Sequence, residues 1–189
     1  MAEIELPFRH ETERLILRDW REDDWGEFWA GTNTPNVMRW LGGVADAKTR
    51  KDAQDRLLSY REKFGHTFWC VERKGDGAIL GFCGLKCCTD ENGPFGMTEA
   101  GWRLREDAWG QGYAKEAAIA SLNLAFDRFG AEEVIALTVE ANTGSWGLMH
   151  RLGMTRRPDL DFDETMWAQD YGQVIVYSIS DHQWRAINA

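Results

Sequence analysis

The segment 104–114 carries the pattern with the clearest chemical meaning in this chain. It places Gly110 and Gly112 between the end of a predicted strand and the beginning of a predicted helix. Glycine lets the backbone turn tightly and brings successive N–H groups close to a ligand. Together with the positive end of the helix dipole, those N–H groups could bind a phosphate without much positive net charge. A simple turn would use the same glycines, so both interpretations stay open.

Two common nucleotide-binding patterns are not met by this segment. A dinucleotide fingerprint requires a third glycine three residues after the second, but that position holds Lys115. A P-loop requires Gly-Lys followed by Ser or Thr, and the chain has no such run. A phosphate site here would therefore be of another class.

A second polar pattern, in the segment 142–154, directly follows the next predicted strand. Asn142 can donate and accept hydrogen bonds, and the Ser145 hydroxyl can give or take a proton at a helix start. The same residue types often serve only as helix caps. The order strand, glycine turn, helix, strand and Asn-x-x-Ser nevertheless favours two adjacent strand ends that hold one extended ligand.

The elements that must position these residues alternate along the chain, which indicates an α/β or α+β sheet with helices on both faces. Asp181 is expected to cap the terminal helix. The predicted strands are 14–18, 68–72, 79–85, Thr98–Leu104, Glu133–Val139 and Val174–Ser180, and the predicted helices are 25–30, Ala47–Phe64, 113–129, 145–152 and a short terminal one.

Composition narrows the class of protein further. The chain has 189 residues and a net charge of −9, which favours one domain over 1–189 and disfavours nucleic-acid binding. The apolar run 78–85 is too short to cross a membrane, and the acidic amino terminus does not resemble a secretory signal. The four cysteines lie within 70–88 without a Cys-x-x-Cys pair, so we interpret them as buried thiols and expect no metal site. A cytoplasmic protein is expected.

The two polar segments carry a family resemblance. Trp109-Gly-Gln-Gly112-Tyr-Ala114 matches a Q/R-x-x-G-x-G/A loop with Trp in the first position, and Asn142, Ser145, Leu148, Gly153 and Met154 match an N-x-x-S-x-x-(V/L)-x-x-x-x-G-(F/M) segment. The chain thereby resembles the GNAT superfamily of N-acetyltransferases, in its RimJ/RimL-type (ribosomal-protein N-terminal acetyltransferase) branch. The resemblance implies a GNAT fold: a single mixed, mostly antiparallel sheet of about six or seven strands, splayed at the cofactor site.

The resemblance also implies acetyl-CoA as co-substrate and suggests where it binds. The backbone amides of the loop would hold the pyrophosphate, and the strand around Arg103 and Leu104 would pair with the pantetheine arm and polarise the thioester carbonyl. Asn142 would contact the pantetheine end. The implied cofactor-binding residues are Arg103, Leu104, Trp109, Gly110, Gln111, Gly112, Tyr113, Ala114, Asn142 and Ser145.

The catalytic groups are implied less directly. Many relatives carry a tyrosine seven residues after the Asn as the acid that protonates the thiolate, but this chain has Met149 there. Ser145 is therefore the expected acid, with helix capping as the alternative. Glu99, on the strand before the loop, is the expected base; the alternative is a solvated strand glutamate. Asp163 and Glu164 are weaker candidates for the base.

The acceptor site of this fold is framed by the first two helices and the loop before the last strand. From these regions we expect Trp29, Trp40, Asp163 and Trp167 to contact the acceptor, since carboxylates and aromatic rings attract ammonium groups. The alternative is that the tryptophans fill the core and the acids of 159–170 are solvated. The acceptor could be a peptide amino terminus, an aminoglycoside, a polyamine or another small amine, and a homodimer is compatible with the family.

Three functions stay open at this point. The favoured one is transfer of an acetyl group from acetyl-CoA to a primary amine by direct attack in a ternary complex. The second is a catalytically silent acyl-CoA sensor on the same fold. The third is an unrelated α/β nucleotide-binding protein.

Overall fold

The structure, a computed structural model, describes residues 7–163 and 170–189. Within these ranges the chain forms eight strands. It also forms five helices that have four residues or more. The strands are β1 (Arg9–Glu11), β2 (Leu15–Arg18), β3 (Phe68–Arg73), β4 (Ile79–Cys87), β5 (Thr98–Leu104), β6 (Glu133–Val139), β7 (Thr155–Arg156) and β8 (Val174–Ser180). The helices are α1 (Asp24–Thr32), α2 (Ala47–Phe64), α3 (Tyr113–Asp127), α4 (Thr143–Arg151) and α5 (Asp181–Ile187).

All eight described strands belong to one mixed sheet in the order β1-β2-β3-β4-β5-β6-β8-β7. Every neighbouring pair is antiparallel except β5 and β6, which are parallel. The predicted mixed, mostly antiparallel sheet is thus confirmed. The two strands beyond the predicted number, β1 and β7, have three and two residues, too few to show an alternating pattern in the sequence.

Local sequence signals set most helix ends. Helix α2 begins at Asp46, whose carboxylate accepts from the Thr49 N–H at 2.8 Å, and ends at Gly65 with a φ of 74°. The prediction that Asp181 caps the last helix is wrong. Ser180 caps it instead, in a reciprocal capping box with Gln183, because its hydroxyl accepts from the Gln183 N–H.

The sheet has a hydrophobic core on each face. Helices α3, α4 and α5 pack on one face, where Leu122 and Met149 are almost completely buried. Helices α1 and α2 pack on the other, around Phe28, Leu57 and Phe82. Because side chains alternate along a strand, β5 sends Ala100, Trp102 and Leu104 toward α3, and Glu99, Gly101 and Arg103 toward α1.

The parallel pair β5 and β6 separates soon after it begins. The two strands pair only at Thr98 with Val134 and at Glu99 with Ile135. Meanwhile β5 stays paired with β4 as far as Leu104, and β6 stays paired with β8 as far as Val139. A gap therefore opens in the middle of the sheet and widens toward the carboxyl ends of both strands. We call it the strand gap.

Candidate active site

A loop with free backbone amides leads from the open end of the strand gap into helix α3. Gly110 and Gly112 have φ values of 72° and 81°, a conformation that favours glycine. Gly112 precedes the helix without any side-chain cap, and the first helical hydrogen bond runs from the Glu116 N–H to the Gly112 carbonyl at 3.0 Å. Within the described residues, the six N–H groups of 110–115 donate to no protein acceptor. This loop can therefore hold a phosphate through its backbone.

Hydrogen bonds from outside fix the shape of this loop. Arg14 donates to the Gln111 carbonyl at 2.9 Å and forms an ion pair with Glu116 at 2.7 Å. The indole N–H of Trp109 donates to the Leu104 carbonyl at 2.9 Å, although half of the Trp109 residue is exposed. The loop is thus anchored both to the first strands and to the end of β5, so its amides are pre-arranged.

The helix start presents backbone rather than side chains to the open side. Tyr113 is buried and lies under the Arg14 guanidinium at 4.4 Å, and Ala114 packs against the core. The side chain of Gln111 turns back and donates to the Asp107 carbonyl at 2.6 Å. None of these side chains occupies the space in front of the free amides.

The N–H groups of β5 point alternately toward β4 and toward the strand gap. The Arg105 N–H donates to the Leu80 carbonyl of β4 at 2.8 Å, and the β4–β5 register is continuous up to that point. The Arg103 N–H therefore also faces β4, whereas the N–H groups of Trp102 and Leu104 face the gap. Leu104 is thus placed to hydrogen-bond an extended ligand that lies in the gap. Arg103, an expected cofactor-binding residue, turns its N–H to β4 and its side chain to the Trp29 and Phe82 rings.

The structure shows which of Asn142 and Ser145 caps helix α4, a point that the sequence left open. Asn142 caps α4, because its Oδ1 accepts from the Ser145 N–H at 3.4 Å. The Ser145 hydroxyl is half-buried and has no hydrogen-bond partner within the described residues. Met149 has no hydroxyl that could act as an acid, and it is buried against α3 and the sheet. Asn142 is thus the cap, and the Ser145 hydroxyl is left unpaired within the described residues.

Glu99 lies at the closed end of the strand gap, on the face covered by α1 and α2. It is 7% exposed, and its Oε2 lies 3.2 Å from the Lys86 Nζ of the neighbouring strand. Burial raises the pKa of the Glu99 carboxyl, and the positive charge of Lys86 opposes that rise only in part. A carboxylate with a raised pKa in a closed site is suited to accept a proton.

The predicted acceptor-side tryptophans are in different places. Trp29 is 8% exposed in α1 and lines a groove of about 680 Å³ between α1 and α2, with Arg50 and Lys51 on the α2 side. Trp40 packs edge-on against Tyr171 at 5.0 Å, next to the core around β6 and β8. Both are on the same face of the sheet, but they do not form one cluster.

The acidic residues of segment 159–170, in the loop before the last strand, are partly neutralised by arginines. Asp159 pairs with Arg157 at 2.8 Å, and Asp161 pairs with Arg156. Asp163 is exposed and has no ion-pair partner in the described part of the chain. Glu164 and Trp167 lie outside the described residues. An acidic surface for the acceptor therefore has less support than the count of acids in the sequence indicates.

One side chain of this site has an environment that the sequence did not reveal. The Arg103 guanidinium lies 5.9 Å from the Trp29 ring and 5.0 Å from the Phe82 ring. It makes no hydrogen bond or ion pair with the described residues, and its Nε is buried. Desolvation, together with nearby Arg56, lowers the pKa of Arg103 to about 10. Strand alternation could have placed it on the same face of β5 as Glu99, but no sequence signal indicates that it has no partner among the described residues.

Three of the four cysteines are buried in the cores of the protein. Cys70, Cys83 and Cys88 lie in three separate core clusters, and burial raises the pKa of Cys83 to about 12. Among residues 7–163 and 170–189 there is no group of three potential metal ligands. No helix in those ranges is long and apolar enough to cross a membrane.

The fold and the site together define an acetyltransferase of the GNAT type. Residues 14–155 match the family model described as an acetyltransferase (GNAT) domain, and the chain belongs to this family. An acetyltransferase from Agrobacterium tumefaciens superposes with a TM-score of 0.78 over 92% of this chain and 95% of its own, at 24% identity. A ribosomal-protein-serine acetyltransferase from Vibrio cholerae has a TM-score of 0.74 at 19% identity, over 92% and 97% of the two chains.

Two relatives are similar in sequence. The uncharacterised protein YkkB of Bacillus subtilis is 29% identical over 144 residues, which cover 76% of this chain and 83% of YkkB. The FsC-acetyl coenzyme A-N(2)-transacetylase of Aspergillus fumigatus is 36% identical over 89 residues, which cover 46% of this chain and 37% of that enzyme.

Proposed function

We propose that this acetyltransferase moves the acetyl group of acetyl-CoA to a primary amine by direct attack in a ternary complex. The observation that carries the proposal is the strand gap with its loop: six free amides at 110–115 continue from a strand edge whose Leu104 N–H is unused. Such a track suits a ligand with a pyrophosphate at one end and an extended amide-bearing arm at the other. The Aspergillus fumigatus relative is named an acetyl coenzyme A-N(2)-transacetylase, which supports the same chemistry.

The residues of the site fit such a co-substrate, which supplies an activated thioester. The loop amides would bind the pyrophosphate, and the backbone of β5 would align the pantetheine arm. The Leu104 N–H would stabilise the negative charge that develops on the thioester oxygen during attack. Trp109, whose own N–H donates to the Glu106 carbonyl at 3.0 Å, and Tyr113, under Arg14, would hold the loop in shape, while Tyr113 and Ala114 would contribute backbone amides.

Proton transfers complete the reaction in this proposal. The incoming amine must lose a proton before its nitrogen forms a bond to the acetyl carbon. Glu99 would accept this proton only through a chain of water molecules, because four residues of strand place its Cα roughly 13 Å from that of Arg103, too far for direct transfer. As the C–S bond breaks, the Ser145 hydroxyl would protonate the departing thiolate and recover a proton from solvent. Amine and thioester are thus converted to amide and free thiol.

The acceptor classes to be compared are peptide amino termini, aminoglycosides and polyamines. Peptide termini belong to this set because the motif residues resemble the RimJ/RimL-type branch. A single-domain, cytoplasmic enzyme that can form a homodimer is the context that we infer for it. Trp29, Trp40, Asp163 and Trp167 are our proposed acceptor contacts.

A CoA-release assay over these amine classes tests the proposal. We expect acetyl-CoA-dependent, amine-dependent thiol formation and, in a thermal-shift assay, stabilisation by acetyl-CoA. Stabilisation by ATP or NAD but not by acetyl-CoA would contradict the proposal. The buried Met149 favours one alternative, a silent acyl-CoA sensor. That alternative predicts acetyl-CoA binding without thiol release for any amine.

A further inference from the structure

Arg103 is a cation without a counter-ion on the acceptor face of the sheet. Its guanidinium lies between the rings of Trp29 and Phe82, and its Nε is buried without a hydrogen-bond partner in the described part of the chain. Leaving a charged donor unsatisfied at such a place costs free energy, since burial removes the water that would solvate it. A ligand that supplies acceptor atoms would offset this cost.

A second orphan donor lies next to it. Trp29 is 8% exposed, and its indole Nε1 is also buried without a partner among the described residues. An indole N–H can only donate, so this group too requires an acceptor atom from outside. The two unpartnered donors belong to side chains that contact each other, since the Arg103 guanidinium lies 5.9 Å from the Trp29 ring. Such a pair favours a ligand that brings oxygen atoms over one that brings an ammonium group.

The part of α2 next to Trp29 is also positively charged, and Arg56 is close enough to Arg103 to contribute to its lowered pKa. Arg50 and Lys51 line the groove next to Trp29, and no Asp or Glu is among its lining residues. Lys51 pairs with Asp55, whereas Arg50 and Arg56 have no ion-pair partner within the described ranges. In a protein of net charge −9, an uncompensated positive region favours an anionic ligand.

We propose that Arg103 and the Trp29 indole bind a carboxylate of the acceptor, so that the acceptor is a molecule of amino-acid type with both an amine and a carboxylate. The inference rests on the proposed function and names its substrate class. It departs from the cationic acceptors that the sequence favoured, because Asp159 and Asp161 are already paired with arginines.

The position of Arg103 in β5 explains how this anchor would serve the reaction. Its neighbours Trp102 and Leu104 turn their N–H groups into the strand gap, where the thioester would lie. The Phe68 ring closes the space over Gly101, whose Cβ position lies 2.5 Å from that ring. A carboxylate on Arg103 would therefore hold the amine beside the gap rather than deeper along the strand.

Matched acceptor pairs test this inference. The assay compares kcat/KM for amino acids with kcat/KM for the amines that lack only the carboxylate, in the wild type and in Arg103→Met, Arg103→Lys and Trp29→Phe. We expect the wild type to prefer the carboxylate-bearing member. Arg103→Met should reduce that preference roughly tenfold or more, the scale of hydrogen bonds to a charged group. Arg103→Lys should retain part of it, and Trp29→Phe should lose a smaller part.

Arg185→Met is the matched control. Arg185 is exposed on α5 and pairs with Asp127 and Asp181, so the variant removes the same charge away from the site. Its preference should equal that of the wild type. Acetyl-CoA affinity should stay within about twofold in every variant. A parallel loss of acetyl-CoA affinity in Arg103→Met would instead assign the guanidinium to the CoA phosphates and overturn the inference.

A binding measurement separates this inference from the proposed function. Calorimetric titration of the CoA-bound protein with N-acetylglycine and with its methyl ester needs no turnover. Carboxylate-dependent binding that disappears in Arg103→Met supports the anion site even if no amine is acetylated. Equal binding of acid and ester by the wild type, or binding of neither, overturns it even if amines are acetylated. Circular dichroism verifies that Arg103→Met is folded.

Discussion

Glu99 is a buried carboxylate with one cationic neighbour, and the two influences on it act in opposite directions. Burial at the closed end of the strand gap raises its pKa, and Lys86 at 3.2 Å holds the rise in check. The balance keeps a carboxylate whose affinity for a proton is higher than that of a solvated glutamate. This property is useful to a base that must take a proton from an amine near neutral pH.

Replacing Glu99 with Gln should therefore change the pH profile. In the wild type, kcat/KM should rise with pH as Glu99 loses its proton, at a pH above the usual range of a solvated glutamate because burial raises the pKa of Glu99. In Glu99→Gln we expect roughly 100-fold lower turnover near neutral pH and no such limb. The pH dependence of acetyl-CoA turnover measures both. Full turnover by Glu99→Gln would remove Glu99 from this role.

Ser145 and Asn142 should respond differently to alanine. Ser145→Ala should lower kcat by roughly 100-fold with little loss of stability, because its hydroxyl has no partner within the described residues. Asn142→Ala should lower the free energy of unfolding by about 1 kcal/mol, because it removes the cap of α4. Urea titration and steady-state kinetics on both variants separate the roles. A stability loss in Ser145→Ala with kcat unchanged would identify Ser145 as structural.

At the scale of elements, the loop before α3 binds through its backbone shape. Gly110 and Gly112 turn the chain, and Arg14 ties the loop to β2 through the Gln111 carbonyl. The donors are backbone N–H groups, so the conformation of the loop, and not any side chain, presents them to a ligand. Conformational strain in this loop should therefore affect binding more than it affects the fold.

Gly110→Ala tests this expectation, with Gly77→Ala as control. The two glycines have φ values of 72° and 73°, and a Cβ would meet nothing within 4 Å at either. Each substitution should thus cost about 1–2 kcal/mol of stability from the same backbone strain. Only Gly110→Ala should also weaken acetyl-CoA binding, because Gly77 lies in the β3–β4 turn. Calorimetry decides, and equal affinities in the two variants would contradict the role of the loop.

For the whole molecule, a buried charge network joins helix α1 to strands β2 and β3. Arg18 is 4% exposed, donates to both carboxylate oxygens of Asp24 at 2.7 and 2.8 Å, and pairs with Glu72 at 2.7 Å. It thereby fixes the start of α1, and with it Trp29, on the sheet. Removing one member would leave buried charges without a partner.

We therefore expect Arg18→Met to lose about 3–5 kcal/mol of unfolding free energy, against about 0–1 kcal/mol for Arg9→Ala at the exposed pair with Glu11. Burial alone would raise the pKa of Asp24, but its hydrogen bonds from Arg18 and Arg21 lower it overall. This contribution to stability is thus present above the unfolded pKa near 3.8 and lost as the pH falls through the lower folded value. Urea titrations between pH 3 and 7 check both; similar losses in the two variants would contradict the network.

The sequence by itself determined most of the elements and the resemblance to the family. The bounds of α2, β5, β6 and β8 agree with those predicted, because local periodicity and caps such as Gly65 fix them. The Gly110–Gly112 loop and the Asn142–Ser145 pair were recognisable for the same reason, since their chemistry depends on residues close in the chain.

Only the tertiary structure decided which polar groups are left without a hydrogen-bond or ion-pair partner among the described residues. Three features depend on contacts between distant segments. Strands β5 and β6 separate after Glu99, Asn142 rather than Ser145 caps α4, and Arg103 has no partner among the described residues. Register and burial arise from long-range packing, which local patterns do not encode. The same packing neutralised Asp161 and left the arginine uncompensated, and it thereby moved the expected acceptor from a cation to an amino-acid type molecule.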